Sequence, residues 1–243
     1  MAKIYRFNQV TSTSDYLKKL INEDKASDRD IVTAAYQTQG RGQHGNSWFS
    51  DRDKNLLFSM MIKSGTLAAE NQFMLSKTIS LAIYDAFLMH HVDLKIKWPN
   101  DIYFKENKLG GILIENFFSG SLWDYSIAGI GLNINQESFP TNLPNPVSLY
   151  QITGKHYNND EILVDLSQKI EIRLRQLFDR HFDEIDRDYE KHLLFFGENR
   201  EFVTNSGELT GCISKVFSDG KIEITGTGHK KYYYYFKEIA FRF

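Results

Sequence analysis

The sequence predicts an α+β chain in two parts, and three features carry that prediction. Two long segments repeat apolar residues at helical spacing, Ala68–His90 and Asp160–Phe182. Between them, Leu94–Trp98, Ile102–Phe104, Leu109–Phe117 and Leu122–Ile134 are apolar runs of strand length. The last three are so close together that antiparallel hairpins are favoured, with turns near Asn107 and Gly120. After Gly197 the helical period disappears, and short strands alternate with glycine turns to the end.

Taken in order, the elements are as follows. Ser14–Asn22 places Leu17, Leu20 and Ile21 on one face of a short helix, with hydroxyl residues before it suited to capping. Asp30–Tyr36 reads as a strand, Gln37–Ser50 as a long loop and Asn55–Ile62 as an apolar strand. In Ala68–His90, Leu75, Ile79, Ala82 and Ala86 line one helical face. Residues 135–147 hold three of the four prolines and read as a loop. Leu163, Leu166, Ile170, Leu174 and Leu177 form the apolar face of the second long helix, and Asp183–Phe196 reads as a further helix. The expected division is residues 1–196 and a β appendage of about five strands over residues 197–243.

Composition narrows the function. Of 243 residues, 42% are apolar and 25% charged, an ordinary globular balance. Lys plus Arg is 29 against 31 Asp plus Glu, which argues against a strongly basic nucleic-acid binder. A single cysteine, Cys212, excludes an intramolecular disulfide framework and any multi-cysteine metal site, and suggests a reducing compartment. No apolar run approaches the ~20 residues of a membrane helix, and the first residues lack a signal-peptide core. The expectation is a soluble, cytoplasmic protein with no membrane partner.

Four segments and one hydroxyl cluster carry the chemistry. In Gln37–Ser50, Gly40, Gly42 and Gly45 surround Arg41, the only Lys, Arg, Asp or Glu of the stretch. Glycines let backbone N–H groups approach an anion, and the guanidinium adds a fork of donors. With no acidic residue nearby in the stretch, Arg41 is expected to be unneutralised; the alternative is a flexible surface loop. The spacing is neither that of a Walker loop nor that of a dinucleotide fingerprint. Lys97-Trp98-Pro99-Asn100-Asp101 leaves two polar side chains at a strand end, or forms an Asx turn. In Lys108-Leu109-Gly110-Gly111-Ile112, alternation puts Lys108, Gly110 and Ile112 on one face. In Gly129-Ile130-Gly131-Leu132-Asn133, the isoleucine and leucine face a core, while Gly129, Gly131 and Asn133 leave space on the other face. That space suits a flat ligand or the close approach of another backbone. Thr11–Asp15 supplies four hydroxyls before a helix, for capping or for a carbonyl-bearing ligand.

Together these motifs, in this order, resemble the biotin protein ligase family, over the chain from about residue 4 to its end. The resemblance implies a class II synthetase-like fold, a mixed, largely antiparallel sheet flanked by helices, with a small C-terminal SH3-like β-barrel that Phe236–Phe243 would complete. It implies an ATP-dependent, carbon–nitrogen bond-forming ligase. Biotin and Mg-ATP would give biotinyl-5′-AMP and pyrophosphate, and a lysine of a biotin carboxyl carrier domain would then displace AMP. By position, Ser12, Thr13, Ser14 and Gln37 match residues that hold biotin, although an Asn is common at position 14. Gly40, Arg41, Gly42 and Gln43 match the loop over biotin and the phosphates. Lys108 matches the lysine at the reacting carboxylate and phosphate, and Gly111 a glycine beside biotin. Trp48, Asn55, Asn100 and Asn133, with Arg41 and Lys108, match the adenylate side. Asp101 matches the carboxylate near the point of lysine attack. The expected catalytic set is therefore Arg41, Lys108 and Asp101. Gln43 and Asn46 stand where many members carry Arg, so the loop is less positive.

The resemblance names no protein ligand for Mg²⁺. The catalytic pattern begins within the first dozen residues, so the expected form lacks the DNA-binding domain that many bacterial members carry. The expected partner is a carboxylase carrier domain and not DNA, with the chain a monomer or weak homodimer. One alternative is a lipoate or octanoate ligase or transferase. Another is a single-strand nucleic-acid module built on Lys230–Lys237, against which residues 196–243 carry only seven Lys/Arg to six Asp/Glu.

Overall fold

The computed structural model describes residues 2–65, 67–120 and 122–242. Phe243, assigned above to the last strand, lies outside them. Among the described residues seven strands form the main sheet: β1 (Ile4–Phe7), β2 (Ile31–Ala34), β3 (Leu56–Lys63), β4 (Leu94–Lys97), β5 (Asp101–Phe104), β6 (Asn107–Ser119) and β7 (Leu122–Leu132). Their order is β1-β2-β3-β7-β6-β5-β4. Only β1 and β2 run parallel; every other neighbouring pair is antiparallel.

Helices cover both faces. α2 (Gln72–Phe87), α4 (Asn159–Phe178) and α5 (Phe182–His192) pack on one face, and α1 (Thr13–Asn22) lies on the other. Strand β3 shows why its sequence is almost continuously apolar. Leu56, Phe58, Met60 and Ile62 enter the large core with Leu75, Ile79 and Leu166. Met61 points the other way, to Leu17 and Leu20 of α1. A strand covered on both faces needs apolar residues at both parities.

The five residues expected on the α4 face are all buried. The helix stops at Phe178 and not at Phe182, because Arg180 takes a left-handed φ of 60° and a new helix begins at Phe182. Ala68–His90 likewise resolves into α2 flanked by single 3₁₀ turns, and His91 (φ 55°) ends it. The turn expected near Asn107 centres on Lys105 (φ 54°), and Asn107 opens β6. Two elements were not anticipated. β1 is a four-residue edge strand, and α3 (Leu149–Thr153) is a short helix. Ser148 and Gln151 form a reciprocal capping box at the start of α3, a pattern present in the sequence.

The C-terminal strands are β8 (Asn199–Thr204), β9 (Gly207–Val216), β10 (Ile222–Gly226), β11 (Lys231–Tyr234) and β12 (Ile239–Phe241). They form one antiparallel sheet ordered β11-β10-β9-β8-β12. This sheet shares the main core: Phe202, Ile213, Val216, Ile222 and Ile224 belong to the same apolar cluster as Phe58 and Ile79. Trp98 Nε1 donates to Gly220 O at 3.0 Å, and Phe73 N donates to Ser218 O at 3.1 Å. Among the described residues no helix is long and apolar enough to cross a membrane.

Candidate active site

The site is built over the middle of the main sheet, where β6 and β7 place Gly111 directly opposite Gly131. Neither glycine leaves open space. A Cβ at Gly131 would lie 2.6 Å from Trp48 Cε2, and one at Gly111 3.2 Å from Trp48 Cζ3. The recess expected for a flat ligand is thus occupied by the chain's own indole. The Trp48 Nε1–H is buried and has no hydrogen-bond partner. Gly129 faces the same side, where an added Cβ would come within 2.8 Å of Ser14 Oγ. Ile130, Leu132 and Ile134 are buried in the core as alternation required.

One end of the site is a buried hydroxyl cluster. Ser12 caps α1 by accepting from Asp15 N at 3.4 Å. Thr13 donates to Gln37 Oε1 through both its backbone N (2.7 Å) and its hydroxyl (3.0 Å). Thr13 Oγ1 and Ser14 Oγ lie 2.7 Å and 2.9 Å from Ser59 Oγ. Ser59 is fully buried and was not anticipated. It is the one polar residue inside the apolar run Leu56–Ile62, which is the signal that would have found it.

The glycine-rich stretch is a loop, as expected, pinched by its own hydrogen bonds around one 3₁₀ turn at Gln43–Gly45. Trp48 N donates to Gly40 O at 2.9 Å, Gly42 N donates to Asn46 O at 2.7 Å, and Arg41 bridges Ser47. Gly40 is required here, because a Cβ would meet Trp48 O at 2.9 Å. The expectation of an unneutralised Arg41 is corrected. Arg41 Nη2 lies 2.7 Å from Asp15 Oδ1 and 3.1 Å from Glu115 Oε2. Both acids are distant from Arg41 in sequence and come to it from the first turn of α1 and from β6, so the stretch itself held no sign of them.

At the other end stands Lys108. Its Nζ is 2.7 Å from Asp101 Oδ1 and 5.8 Å from the Trp48 ring centre. Alternation placed Lys108 with Gly110 and Ile112, and the structure corrects this. A Cβ at Gly111 would be 3.5 Å from Lys108 Cε, whereas Gly110 faces Leu132 in the core. The reason is a bulge. Ile102 pairs with Gly110 but the next residue, Tyr103, pairs with Lys108, so Leu109 is an extra residue in β6. An extra residue reverses the parity of everything before it and turns Lys108 to the site side.

The pocket enclosed by these groups holds about 50 Å³ and is lined by Ser12, Thr13, Ser14, Gln37, Arg41, Gly42, Gln43, Trp48, Asn100, Asp101, Lys108 and Gly111, among others. Gly40 is not a lining residue and packs beside Gln37 Nε2 and Trp48. The four residues expected on the adenylate side are not all together. Trp48 and Asn133, with Lys108, line an adjoining cavity of about 340 Å³. Asn133 is 4% exposed, yet its Oδ1 has no partner, while Nδ2 donates to Val147 O at 3.1 Å. Asn100 donates to Ile112 O at 2.6 Å and lines the first pocket with Trp48 and Lys108, but not the adjoining cavity. Asn55 is brought to neither pocket. Its amide is spent on Ser50 Oγ, Gln136 Oε1 and the Ile134 N–H, which knots the end of β3 to the chain after β7. Among the described residues no group of three or more His, Cys, Asp or Glu is placed to hold a metal.

This arrangement can hold an anion between Arg41 and Lys108 and a carbonyl-bearing ligand at the hydroxyl cluster. The chain also resembles known proteins. Residues 6–133 match the Biotin/lipoate A/B protein ligase family, more than half of the chain. The chain is 37% identical over 129 residues to the bifunctional ligase/repressor BirA of Escherichia coli, across 52% of this chain and 38% of that protein. Against the bifunctional ligase/repressor BirA of Bacillus spizizenii it is 28% identical over 235 residues, 92% of this chain and 70% of that one. A biotin protein ligase from Aquifex aeolicus, solved in complex with biotin and ATP, superposes over 100% of this chain and 99% of its own. That superposition has a TM-score of 0.82 at 28% identity. The chain therefore belongs to the biotin/lipoate A/B protein ligase family.

Proposed function

We propose that the chain is an ATP-dependent biotin protein ligase. It condenses biotin with ATP to biotinyl-5′-AMP and passes the biotinyl group to a lysine of a biotin carboxyl carrier domain. The observation that supports this best is the convergence of Arg41 and Lys108 on a glycine-floored pocket that ends in the Thr13, Ser14, Gln37 and Ser59 cluster. A ureido ring needs donors and acceptors side by side in a dry recess, and these buried hydroxyls and the amide offer both.

The first step brings two anions together. The biotin carboxylate attacks the α-phosphorus, an oxygen–phosphorus bond forms, and the bond to the pyrophosphate leaving group breaks. Arg41 and Lys108 offset the repulsion and stabilise charge that grows on the phosphoryl oxygens. A carboxylate is already a nucleophile, so the chain's task here is placement more than proton transfer. Mg²⁺ enters as part of the nucleotide substrate. A bicyclic acid needs more room than 50 Å³, so Trp48 leaves the glycine floor and the turn at residues 40–48 moves outward on binding. Trp48 and the orphan Asn133 Oδ1 then face the adenylate, the amide oxygen accepting from an exocyclic amine. In the second step the acceptor lysine must lose a proton as its nitrogen attacks the acyl carbon and AMP departs. Asp101, at the pocket wall, takes that proton.

The test is pyrophosphate release from Mg-ATP with biotin, and separately with lipoate, without any acceptor protein. Release with biotin and not with lipoate is expected. Release with lipoate alone would keep the fold and overturn the substrate.

A further inference from the structure

Lys108 has two duties that conflict. In the structure it is the 2.7 Å partner of Asp101, whose side chain is only 18% exposed. In the proposed reaction it must turn to substrate carboxylate and phosphate. A carboxylate that sheltered, left without a cation, costs free energy and would hold Lys108 back. A second cation stands on the far side. Lys97, at the end of β4, is the direct cross-strand partner of Asp101 on β5. Directly opposed residues of an antiparallel pair put their side chains on the same face. The Lys97 ammonium sits over two ring faces, 5.2 Å from the Tyr103 centre and 5.4 Å from the Phe241 centre. Phe241 belongs to β12, so the C-terminal sheet supplies one wall of this seat. Burial lowers the Lys97 pKa from the ordinary lysine value; the charge of Asp101 opposes that and the charge of Lys108 adds to it, so all three groups lie within electrostatic reach of one another.

We infer that Lys97 is the standing counter-ion of Asp101, a positioning residue that frees Lys108 to engage the substrate anions, and that Phe241 of the C-terminal sheet holds it in place. The inference rests on the biotin-ligase reading above. When Lys108 swings to the phosphate, Lys97 is the cation left beside Asp101. Without Lys97, Lys108 is the only cation of the pair and stays on Asp101.

A double-mutant cycle tests this, because Lys97 should matter only while Asp101 carries a charge. Biotin-dependent pyrophosphate release is measured in Lys97→Met, Lys97→Arg, Asp101→Asn and the Lys97→Met/Asp101→Asn pair, with folding checked by thermal unfolding. Lys97→Met is expected to lose about tenfold in kcat/KM for Mg-ATP, Lys97→Arg to retain activity within about twofold, and the loss to vanish in the Asp101→Asn background. An equal loss in both backgrounds would show a packing role and overturn the inference. Should Lys97→Met not fold, Phe241→Leu in the same two backgrounds replaces it. A loss of about threefold confined to the Asp101 background is expected, and an equal loss in both overturns the inference. No biotin-dependent release from the unsubstituted protein would overturn the biotin-ligase reading and, with it, this role for Lys97.

Discussion

Two lysine–aspartate pairs of nearly equal length lie in very different surroundings. Lys77 on α2 is 2.6 Å from Asp186 on α5, has no exposed side-chain surface, and also donates to Val216 O at 2.6 Å. Lys108 is 2.7 Å from Asp101, with 31% and 18% of the two side chains exposed at the mouth of a pocket. Length alone would class them together. The difference is access. Lys77 is closed in by the Phe73 and Tyr189 rings and a strand of the second sheet, so no other anion can reach it. Lys108 can trade its carboxylate for another anion. The first pair ties two helices to the second sheet; the second lines a pocket, where the proposed reaction would use it.

The sharpest test of that contrast is to break each pair and read both stability and rate. Lys108→Ala should lower biotin-dependent pyrophosphate release by about 10²–10³, the size of loss typical when one group that stabilises transition-state charge is removed. Its unfolding free energy should move by no more than about 1 kcal/mol, because a partly exposed pair contributes little. Asp186→Ala should do the reverse. It leaves a fully buried ammonium without its carboxylate, at a cost of about 3 kcal/mol in urea unfolding, while release per folded molecule stays within about twofold. Equal effects of the two substitutions on rate would erase the distinction.

The smallest effect is in the pH dependence. Burial lowers the Lys77 pKa from 10.5, against the opposing influence of Asp186. Between that lowered value and 10.5 the unfolded chain holds a proton that the folded chain has released. Stability therefore rises with pH across this window. Urea unfolding at intervals up to pH 10.5 should show a shallower rise in Lys77→Met than in the parent. An unchanged slope would mean that Lys77 titrates alike in both states.

Much of the frame was legible. The α4 face, the hairpins around Gly120 and the switch to strands after Gly197 are local signals, set by spacing and turn residues, and they stood with boundaries moved by a few residues. The site was legible as a set of residues and poorly legible as a geometry. Gln37, Arg41, Lys108 and Gly111 do meet at one pocket, but Arg41 arrives already paired with Asp15 and Glu115, and Asn55 turns away into a structural knot. Lys108 shows why. Period-two counting along β6 gave it the wrong face, because a bulge is a property of the pairing between two strands. Ser59 is inconspicuous in the sequence for a similar reason. A lone serine in an apolar strand gains meaning only when Thr13 and Ser14 arrive from another element.

What the sequence determined by itself was the order of the elements, the faces that must be buried, and the residue types suited to approach an anion. These follow from side-chain period, turn preference and charge, which act over a few residues. Tertiary structure alone decided which charges meet. It set two carboxylates on Arg41, placed Asp101 opposite Lys97 and beside Lys108, laid Trp48 across the glycine pair, and brought Phe241 from the last strand to the Lys97 ammonium. Each of these contacts joins residues from different elements. Electrostatic and packing energies depend on separation in space, and only the folded sheet specifies that separation.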